Sequence, residues 1–166
     1  MDYRELGRTG VHISAVSLGT MTFDAAELYP IPPKPETQGR TEAVIGTWLA
    51  SRKARNKVLI ATKAIGRSKM KWLRNDGSPG RQSRVQLTEA LHGSLKRLKT
   101  DHIDLYQLHW PDRPMRIFEG LDYVHKEGES HAIEVILGVL GEFVEQGKVG
   151  FVGLSNETPW GVMTFL

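Results

Sequence analysis

The chain of 166 residues contains no cysteine and no run of eighteen or more apolar residues. The absence of cysteine excludes disulfides and thiolate metal sites, and the absence of a long apolar run argues against a transmembrane helix. The first ten residues, MDYRELGRTG, also lack the apolar core of a signal peptide. From these absences we expect a cytoplasmic protein with no metal ion and no membrane partner.

An excess of charge of one sign is missing as well. The chain has 22 Lys and Arg residues against 19 Asp and Glu residues, which gives a net charge of +3. Basic residues cluster at 51–57 and at 66–74, the second cluster with Trp72, and such a cluster is compatible with nucleic-acid binding. Charged loops are more often solvated surface, and no helix-turn-helix, RNP-like or zinc-finger pattern is present. We therefore expect loop surface at both clusters and no nucleic-acid partner.

The remaining composition is typical of a globular protein. Hydrophobic residues make up 40% of the chain and charged residues 25%, which is enough apolar material to fill a core. The length corresponds to one domain, so we predict a single domain over residues 1–166.

Strand and helix patterns alternate along the chain after a short hairpin over 3–14 that turns at Arg8-Thr9-Gly10. The strand patterns are short and apolar, and the helix patterns have apolar residues three and four positions apart. The predicted strands are 15–23, 57–65, 103–108 and 148–155, the predicted helices are 41–52, 83–98 and 131–146, and a further helix begins at Thr158-Pro159. This alternation predicts a parallel sheet, with loops at the proline-rich stretch 24–39 and at 110–130.

Two of the predicted helices have a clear apolar face. In the helix over 83–98, Ser83 is the predicted N-cap, and the apolar stripe comprises Leu87, Leu91, Leu95 and Leu98. The helix over 41–52 is predicted to bury one face that comprises Val44, Ile45, Trp48 and Leu49.

Candidate functional residues lie at or just after the carboxyl ends of the predicted strands. They are Thr20, Met21, Lys63, His109, Ser155 and Asn156. In a (β/α)8 barrel these strand ends share one rim, which is where barrel enzymes carry their active sites. A lone histidine such as His109 is more often a packed core residue than a ligand, and the repeated position at strand ends is what favours function.

Asp24, Tyr29, Lys63 and His109 together suit the reduction of a carbonyl group. Taken singly, Lys63 is equally well a surface lysine at a strand end, and Tyr29 would be interpreted as a buried loop aromatic. A lysine in a buried rim needs a partner to offset its desolvation, and Asp24 is available. Carbonyl reduction needs a proton donor for the developing alkoxide, and a tyrosine can serve when a nearby ammonium lowers its pKa. The carboxylate would then hold the ammonium, and the histidine would orient the carbonyl.

Five segments resemble the aldo-keto reductase superfamily, in order along most of the chain. They are LGTMTF (18–23), DAAELYP (24–30), ATK (61–63), SLKRLKTDHIDLYQLHWPD (94–112) and GKVGFVGLSNE (147–157). The stretch YPIPPKPETQG is similar to a bacterial Tas-like branch that is related to the potassium-channel β subunits. The resemblance implies a (β/α)8 TIM barrel and the NADPH-dependent reduction of aldehydes and ketones to alcohols by hydride transfer.

The resemblance also implies a role for each candidate residue. The catalytic residues would be Asp24, Tyr29, Lys63 and His109, with Tyr29 as the proton donor. The NADPH site would comprise Gly19, Thr20, Met21, Asp24, Ser155 and Asn156, of which the last two would hold the nicotinamide carboxamide. A small carbonyl substrate would contact Tyr29, His109 and Trp110.

Two features depart from the family pattern. Met21 and Asp24 are three residues apart, whereas adjacent parallel strands are joined by a crossover of about a dozen or more residues. Helix 1 and most of strand 2 are therefore predicted to be missing, and strands 6 to 8 would lie beyond Leu166 because a full barrel needs about 200–400 residues. The alternative to the enzyme is a catalytically inactive truncated homologue, or a cofactor-sensing subunit that acts through partners. The sequence carries no signal for the natural substrate, the choice of NADPH over NADH, or the oligomeric state.

Overall fold

The computed structural model describes residues 3–5, 7–10, 12–14, 24–115 and 127–166. Strands β1 (Tyr3–Glu5) and β2 (His12–Ser14) form the predicted antiparallel hairpin. Its turn contains Gly7 and Gly10 with φ angles of 59° and 73°, a conformation that glycine adopts without steric cost. The predicted strand over 15–23 and the middle of the predicted 110–130 loop lie outside the described residues.

A parallel sheet of three strands, in the order β3-β4-β5, forms the centre of the fold. The strands are β3 (Ala61–Ala64), β4 (Ile103–Leu108) and β5 (Val149–Leu154). Both pairings are parallel, which confirms the prediction from the alternating pattern. Strand β3 is shorter than the predicted 57–65: Arg55–Lys57 form a turn of 3-10 helix, and Ile60 N donates to the Asp104 side chain at 2.8 Å and not to a neighbouring strand.

The first part of the proline-rich loop lies alongside β3. Asp24 forms a parallel bridge with Ala61, and Ala25 N donates to Ala61 O at 2.9 Å. Glu27 N then donates to Lys63 O at 3.0 Å. This pairing carries the chain along β3 to its carboxyl end, so the loop that follows begins at the rim of the sheet.

The described part of the chain contains four helices: α1 (Arg40–Arg52), α2 (Arg84–Leu98), α3 (Ile133–Glu145) and α4 (Pro159–Phe165). Ser83 caps α2 as predicted, because its Oγ accepts from Gln86 N at 3.3 Å. Thr158 caps α4 in the same way by accepting from Gly161 N at 3.0 Å. Among the described helices, none is long and apolar enough to cross a bilayer.

The hydrophobic core lies between the sheet and helices α1, α2 and α3. The predicted stripe of α2 is confirmed, since Leu87, Leu91 and Leu98 are all 0% exposed and Leu95 packs against them partly buried. Each fully buried leucine contributes roughly 1.5–3 kcal/mol through the hydrophobic effect. The other elements contribute Ile45, Leu49, Ile60, Ala64, Ile103, Tyr106, Leu108, Ile136, Val139, Leu140, Phe143 and Val149 to this core.

The predicted apolar face of α1 is wrong in half of its members. Ile45 and Leu49 are buried, as expected, but Val44 is 58% exposed and Trp48 is 38% exposed. The buried face of α1 therefore includes Ile45 and Leu49 but not Val44 and Trp48.

A buried carboxylate explains why α1 faces the core with Ile45 and Leu49 and not with Val44 and Trp48. Glu42 is 0% exposed, and its two oxygens accept from Thr62 Oγ1 on β3 and from Arg97 Nε on α2, both at 2.6 Å. Helices α1 and α2 also approach closely at Gly46, where an added Cβ atom would lie 2.2 Å from Arg97 O. Apolar periodicity misses this face because its centre is a charged residue and a glycine.

Candidate active site

Four of the predicted residues meet at the carboxyl end of the sheet. Asp24 begins the segment that pairs with β3, Lys63 lies on β3, and His109 directly follows β4. Tyr29 lies in the loop that continues from Asp24. Because neighbouring parallel strands end at the same edge, these side chains come together although they are distant in sequence.

Lys63 is buried and paired. Its side chain is 6% exposed, and Nζ donates to Asp24 Oδ1 at 2.6 Å and to Ala25 O at 3.0 Å. These two acceptors offset the cost of burying the ammonium group. The Asp24 side chain is 48% exposed, and its Oδ1 also accepts from Gln107 Nε2 at 3.3 Å. Sequence reasoning predicted the Asp24–Lys63 pair. It missed Gln107 of β4, because no sequence pattern distinguishes this residue.

Tyr29 lies against both Lys63 and His109. The Lys63 Nζ atom is 5.4 Å from the centroid of the tyrosine ring, and the rings of Tyr29 and His109 meet edge to face at a centroid distance of 5.5 Å. Burial, followed by the negative charge of Asp24, raises the pKa of Tyr29 above its ordinary value. This direction is opposite to the expected lowering, because burial and the Asp24 carboxylate both disfavour the phenolate.

His109 is a buried, neutral imidazole. It is 6% exposed, and its backbone N donates to Ala64 O at 2.7 Å. Burial, and then the positive charge of Lys63, lowers the pKa of His109 to about 4 against the weaker opposing effect of Asp24. Its Nδ1 atom is buried without a hydrogen-bond partner among the described residues. At neutral pH the ring therefore carries one N–H group and one free acceptor nitrogen.

Ser155 and Asn156 lie at the end of β5, next to His109. Ser155 N donates to Leu108 O at 2.9 Å, and Asn156 Nδ2 donates to His109 O at 2.8 Å and to Ser155 Oγ at 3.0 Å. Since the serine hydroxyl accepts here, its own proton remains a donor, and the asparagine Oδ1 is an acceptor. One donor and one acceptor side by side are the groups that a nicotinamide carboxamide requires.

Trp110 forms part of the wall of the same region. It is 8% exposed and packs with Leu28, Ile65 and Leu73. Its ring centroid is 4.7 Å from that of His109, and its Nε1 donates to Arg67 O at 2.8 Å. The remaining predicted cofactor residues, Gly19, Thr20 and Met21, lie outside the described residues.

The basic segment 66–74, expected to be solvated loop surface, is exposed at Lys69 and Lys71, as expected, but Arg74 is buried, so the expectation is wrong for Arg74. Arg74 has a side chain that is 1% exposed and forms a two-pronged ion pair with Glu27, whose side chain is 2% exposed. The nitrogen-to-oxygen distances are 2.8 and 2.9 Å. Sequence reasoning missed this pair because an arginine in a run of basic residues and a glutamate in a polar loop both have the composition of surface.

Asp112 is a third buried acid, after Glu42 and Glu27, that the sequence did not reveal. It accepts from Arg81 Nε at 2.9 Å, from Gln82 N at 3.0 Å and from His131 N at 2.7 Å. Burial alone would raise its pKa, but these hydrogen bonds and one from the His131 ring outweigh burial and hold the pKa at about 2. Asp112 thereby ties the segment before α3 to the segment before α2. Within the described residues no group of three or more His, Asp or Glu side chains is arranged to hold a metal ion.

A cavity of about 280 Å³ lies on the helix side of the sheet, beside α3 and α4. Its walls include Leu108, Asp112, Ile136, Leu154, Trp160 and Phe165. None of Asp24, Tyr29, Lys63 and His109 lines it. The four side chains therefore converge outside this cavity, whereas Trp110 and Ser155 of the candidate site contribute to its walls.

Comparison with known proteins identifies the family of the chain. The sequence model of the aldo/keto reductase family matches residues 11–165. Protein Tas of Escherichia coli is 39% identical over 194 aligned positions, which cover 100% of this chain and 55% of Tas. An aldo-keto reductase of Babesia bovis is 43% identical over 119 positions, which cover 66% of this chain and 41% of the relative.

The fold is similar to that of solved aldo-keto reductases. The holo form of an aldo-keto reductase from Bacillus halodurans superposes with a TM-score of 0.68 at 26% identity, over 99% of this chain and 53% of that chain. The three parallel strands in the described residues are thus part of a (β/α)8 barrel, as predicted. The chain spans about half the length of the curated relatives it matches.

The alignment also bears on the short connection between Met21 and Asp24. It runs over 194 positions with Tas, although the chain has 166 residues, so at least 28 positions have no counterpart here. A parallel crossover takes about a dozen or more residues. The unmatched length is therefore sufficient for the helix 1 and strand 2 region that the sequence analysis predicted to be missing.

Proposed function

Because the chain belongs to the aldo/keto reductase family, we propose that it reduces aldehydes and ketones to alcohols with NADPH, with Tyr29 as the proton donor. The observation that carries this proposal is the convergence of Asp24, Tyr29, Lys63 and His109 at one rim of the sheet. A carbonyl carbon gains a hydride and its oxygen gains a proton in such a reaction. When bound, the reduced nicotinamide supplies the hydride.

Tyr29 has the properties of the proton source. Its raised pKa keeps the phenol protonated at neutral pH, so the hydroxyl can give its proton to the carbonyl oxygen as negative charge develops there. The ammonium group of Lys63 lies 5.4 Å from the ring centroid. It stabilises the phenolate that is left behind, and Asp24 holds it in position.

His109 serves to orient the carbonyl group. Because its pKa is lowered to about 4, the ring is neutral at the pH of the reaction. A neutral imidazole can donate one hydrogen bond to the carbonyl oxygen without adding a competing acid. Trp110, packed at 4.7 Å from His109 between ring centroids, forms an apolar wall that excludes water from the substrate.

The cofactor residues follow from the family resemblance and from the donor set. Ser155 offers a hydroxyl proton and Asn156 a carbonyl oxygen, which fit the carboxamide of a nicotinamide. We propose Asp24, Gly19, Thr20 and Met21 as the other cofactor contacts. The partner is accordingly a small carbonyl compound, and the burial of Arg74 removes one charge from the basic segment that suggested nucleic acid.

The test is NADPH consumption with a reactive aldehyde such as 4-nitrobenzaldehyde. We expect Tyr29→Phe to lower the rate about 10²–10⁴-fold, the usual contribution of a general acid. The same assay with NADH tests the cofactor preference, and exposed Val85→Ala is the matched surface control. Equal rates for wild type and Tyr29→Phe would refute the role of Tyr29.

A second candidate function is cofactor binding without turnover. The short link between Met21 and Asp24 favours it, because a crossover between parallel strands takes about a dozen or more residues. Quenching of tryptophan fluorescence by NADPH, with no aldehyde reduction, would support a cofactor-sensing role. Turnover above the Tyr29→Phe background would exclude it.

A further inference from the structure

Glu27 lies in the loop that carries the proposed proton donor, and each of its polar groups has a partner. Its backbone N donates to Lys63 O at 3.0 Å, and its backbone O accepts from Gln38 Nε2 at 2.6 Å. Its Oε1 accepts from Ile65 N at 2.8 Å and from Arg74 Nη2 at 2.9 Å, and its Oε2 accepts from Arg74 Nη1 at 2.8 Å. The residue is therefore held at its backbone and at its side chain, two positions before Tyr29.

Arg74 connects Glu27 to the start of α2. Its Nε donates to Gln86 Oε1 at 3.2 Å, and Gln86 is fixed in turn by donating from Nε2 to Ser78 Oγ and Pro79 O at 2.9 and 3.0 Å. The planar guanidinium thus uses one edge for Glu27 and another nitrogen for the helix. A lysine at this position would provide only a point charge and would lose the two-pronged geometry.

We propose that Arg74 and Glu27 are positioning residues that hold Tyr29 in reach of Lys63 and His109, which rests on the function proposed for Tyr29. Neither residue touches the ring of Tyr29 in a hydrogen bond, so they act through the backbone of residues 27–29. Tyr29 N itself donates only within the turn, to Ala26 O at 3.1 Å. The loop around Tyr29 is rich in proline, which provides no N–H group for additional anchoring.

The molecule contains a matched pair that lacks this connection. Glu42 and Arg97 form an ion pair at 2.6 Å, with side chains that are 0% and 24% exposed. Glu42 accepts from Thr62 of β3 and lies in α1, and it makes none of the hydrogen bonds that hold residues 27–29. If the ion pairs serve stability alone, Arg74→Lys and Arg97→Lys should have the same effect on Tyr29.

The experiment compares these two variants by fluorine NMR of protein labelled with 3-fluorotyrosine. The chain has four tyrosines, and the Tyr29 signal is assigned by its loss in Tyr29→Phe. We expect Arg74→Lys to shift or broaden the Tyr29 signal and Arg97→Lys to leave it at the wild-type position. An unchanged Tyr29 signal in folded Arg74→Lys, or an equal change in both variants, would overturn the proposal.

A double substitution keeps the test decisive if Arg74→Lys does not fold. Replacing both partners of a buried ion pair with apolar residues of similar volume is often neutral for stability. Glu27→Met/Arg74→Met is therefore compared with Glu42→Met/Arg97→Met. A disturbed Tyr29 signal in the first pair alone supports positioning, and a signal at the wild-type position in the first pair contradicts it.

Kinetics provide a second readout and separate this proposal from the proposed function. Displacement of a catalytic group by about 1 Å can lower a rate on the order of 10²-fold, so Arg74→Lys should lower kcat strongly with little change in KM. Arg97→Lys should leave both values near wild type. If the wild-type chain reduces no aldehyde, the proposed function fails, while the fluorine NMR comparison still decides whether Arg74 positions Tyr29.

Discussion

Asp24–Lys63 and Glu27–Arg74 are two acid–base pairs whose acids lie three residues apart in one loop, and their surroundings differ. In the first pair the acid is 48% exposed and the base 6%, whereas in the second the side chains are 2% and 1% exposed. Asp24 keeps part of its surface open to the rim, and Glu27 has every polar group occupied. Asp24–Lys63 is therefore available for chemistry, whereas the hydrogen bonds of Glu27 all serve to hold the loop.

The largest expected effect is on stability and comes from breaking the buried pair Glu27–Arg74. Arg74→Met leaves the Glu27 carboxylate buried without its partner, and removal of one member of a buried ion pair costs about 3–5 kcal/mol. Urea unfolding should show this loss in the free energy of unfolding. Glu27→Met/Arg74→Met should recover part of it, because Ile65 N then loses its acceptor Glu27 Oε1, and a double variant as unstable as the single one would contradict this explanation.

The next largest effect is on the pH dependence of stability and comes from His109. The pKa of His109 is about 4 in the folded protein against an ordinary value of 6.5. As pH falls from 6.5 to about 4, the unfolded chain binds a proton that folded His109 does not, so folding loses up to about 3 kcal/mol. His109→Gln removes this loss. The difference in the free energy of unfolding between the two proteins should change by up to about 3 kcal/mol across this pH range, and parallel pH profiles would show that His109 is not the group responsible.

The smallest effect on stability is expected at the partly exposed pair Asp24–Lys63. Lys63→Met leaves Asp24 with water and Gln107 as partners, because the carboxylate is 48% exposed. We expect a change of at most about 1 kcal/mol in the free energy of unfolding, as for exposed ion pairs, together with a large loss of aldehyde reduction. A destabilisation equal to that of Arg74→Met would remove the distinction between the two pairs.

Much of the fold was predictable because it depends on local patterns. The leucine stripe and the Ser83 cap of α2 were found from spacing and residue type, and both are confirmed. The strand that ends at His109 was found from a short apolar run bounded by polar residues. Such features need only the geometry of one helix or one strand.

The buried face of α1 and the burial of Arg74 were not predictable in the same way. Each depends on a charged residue that is buried because a partner of opposite charge comes from a distant part of the chain, Glu42 with Arg97 and Glu27 with Arg74. In sequence such residues have the composition of solvated surface. The roles of Gly19, Thr20 and Met21 stay predictions, since these residues lie outside the described part of the chain.

The sequence by itself determined the order of strands and helices, the family, and the residue types of the candidate site, because these follow from periodicity and from motifs of neighbouring residues. Only the tertiary structure decided which charges are buried, how Tyr29 is held, and that its pKa is raised and not lowered. These properties depend on distances between groups far apart in the chain and on the loss of water around them. The Coulomb energy and the desolvation energy that set them exist only once the chain has folded.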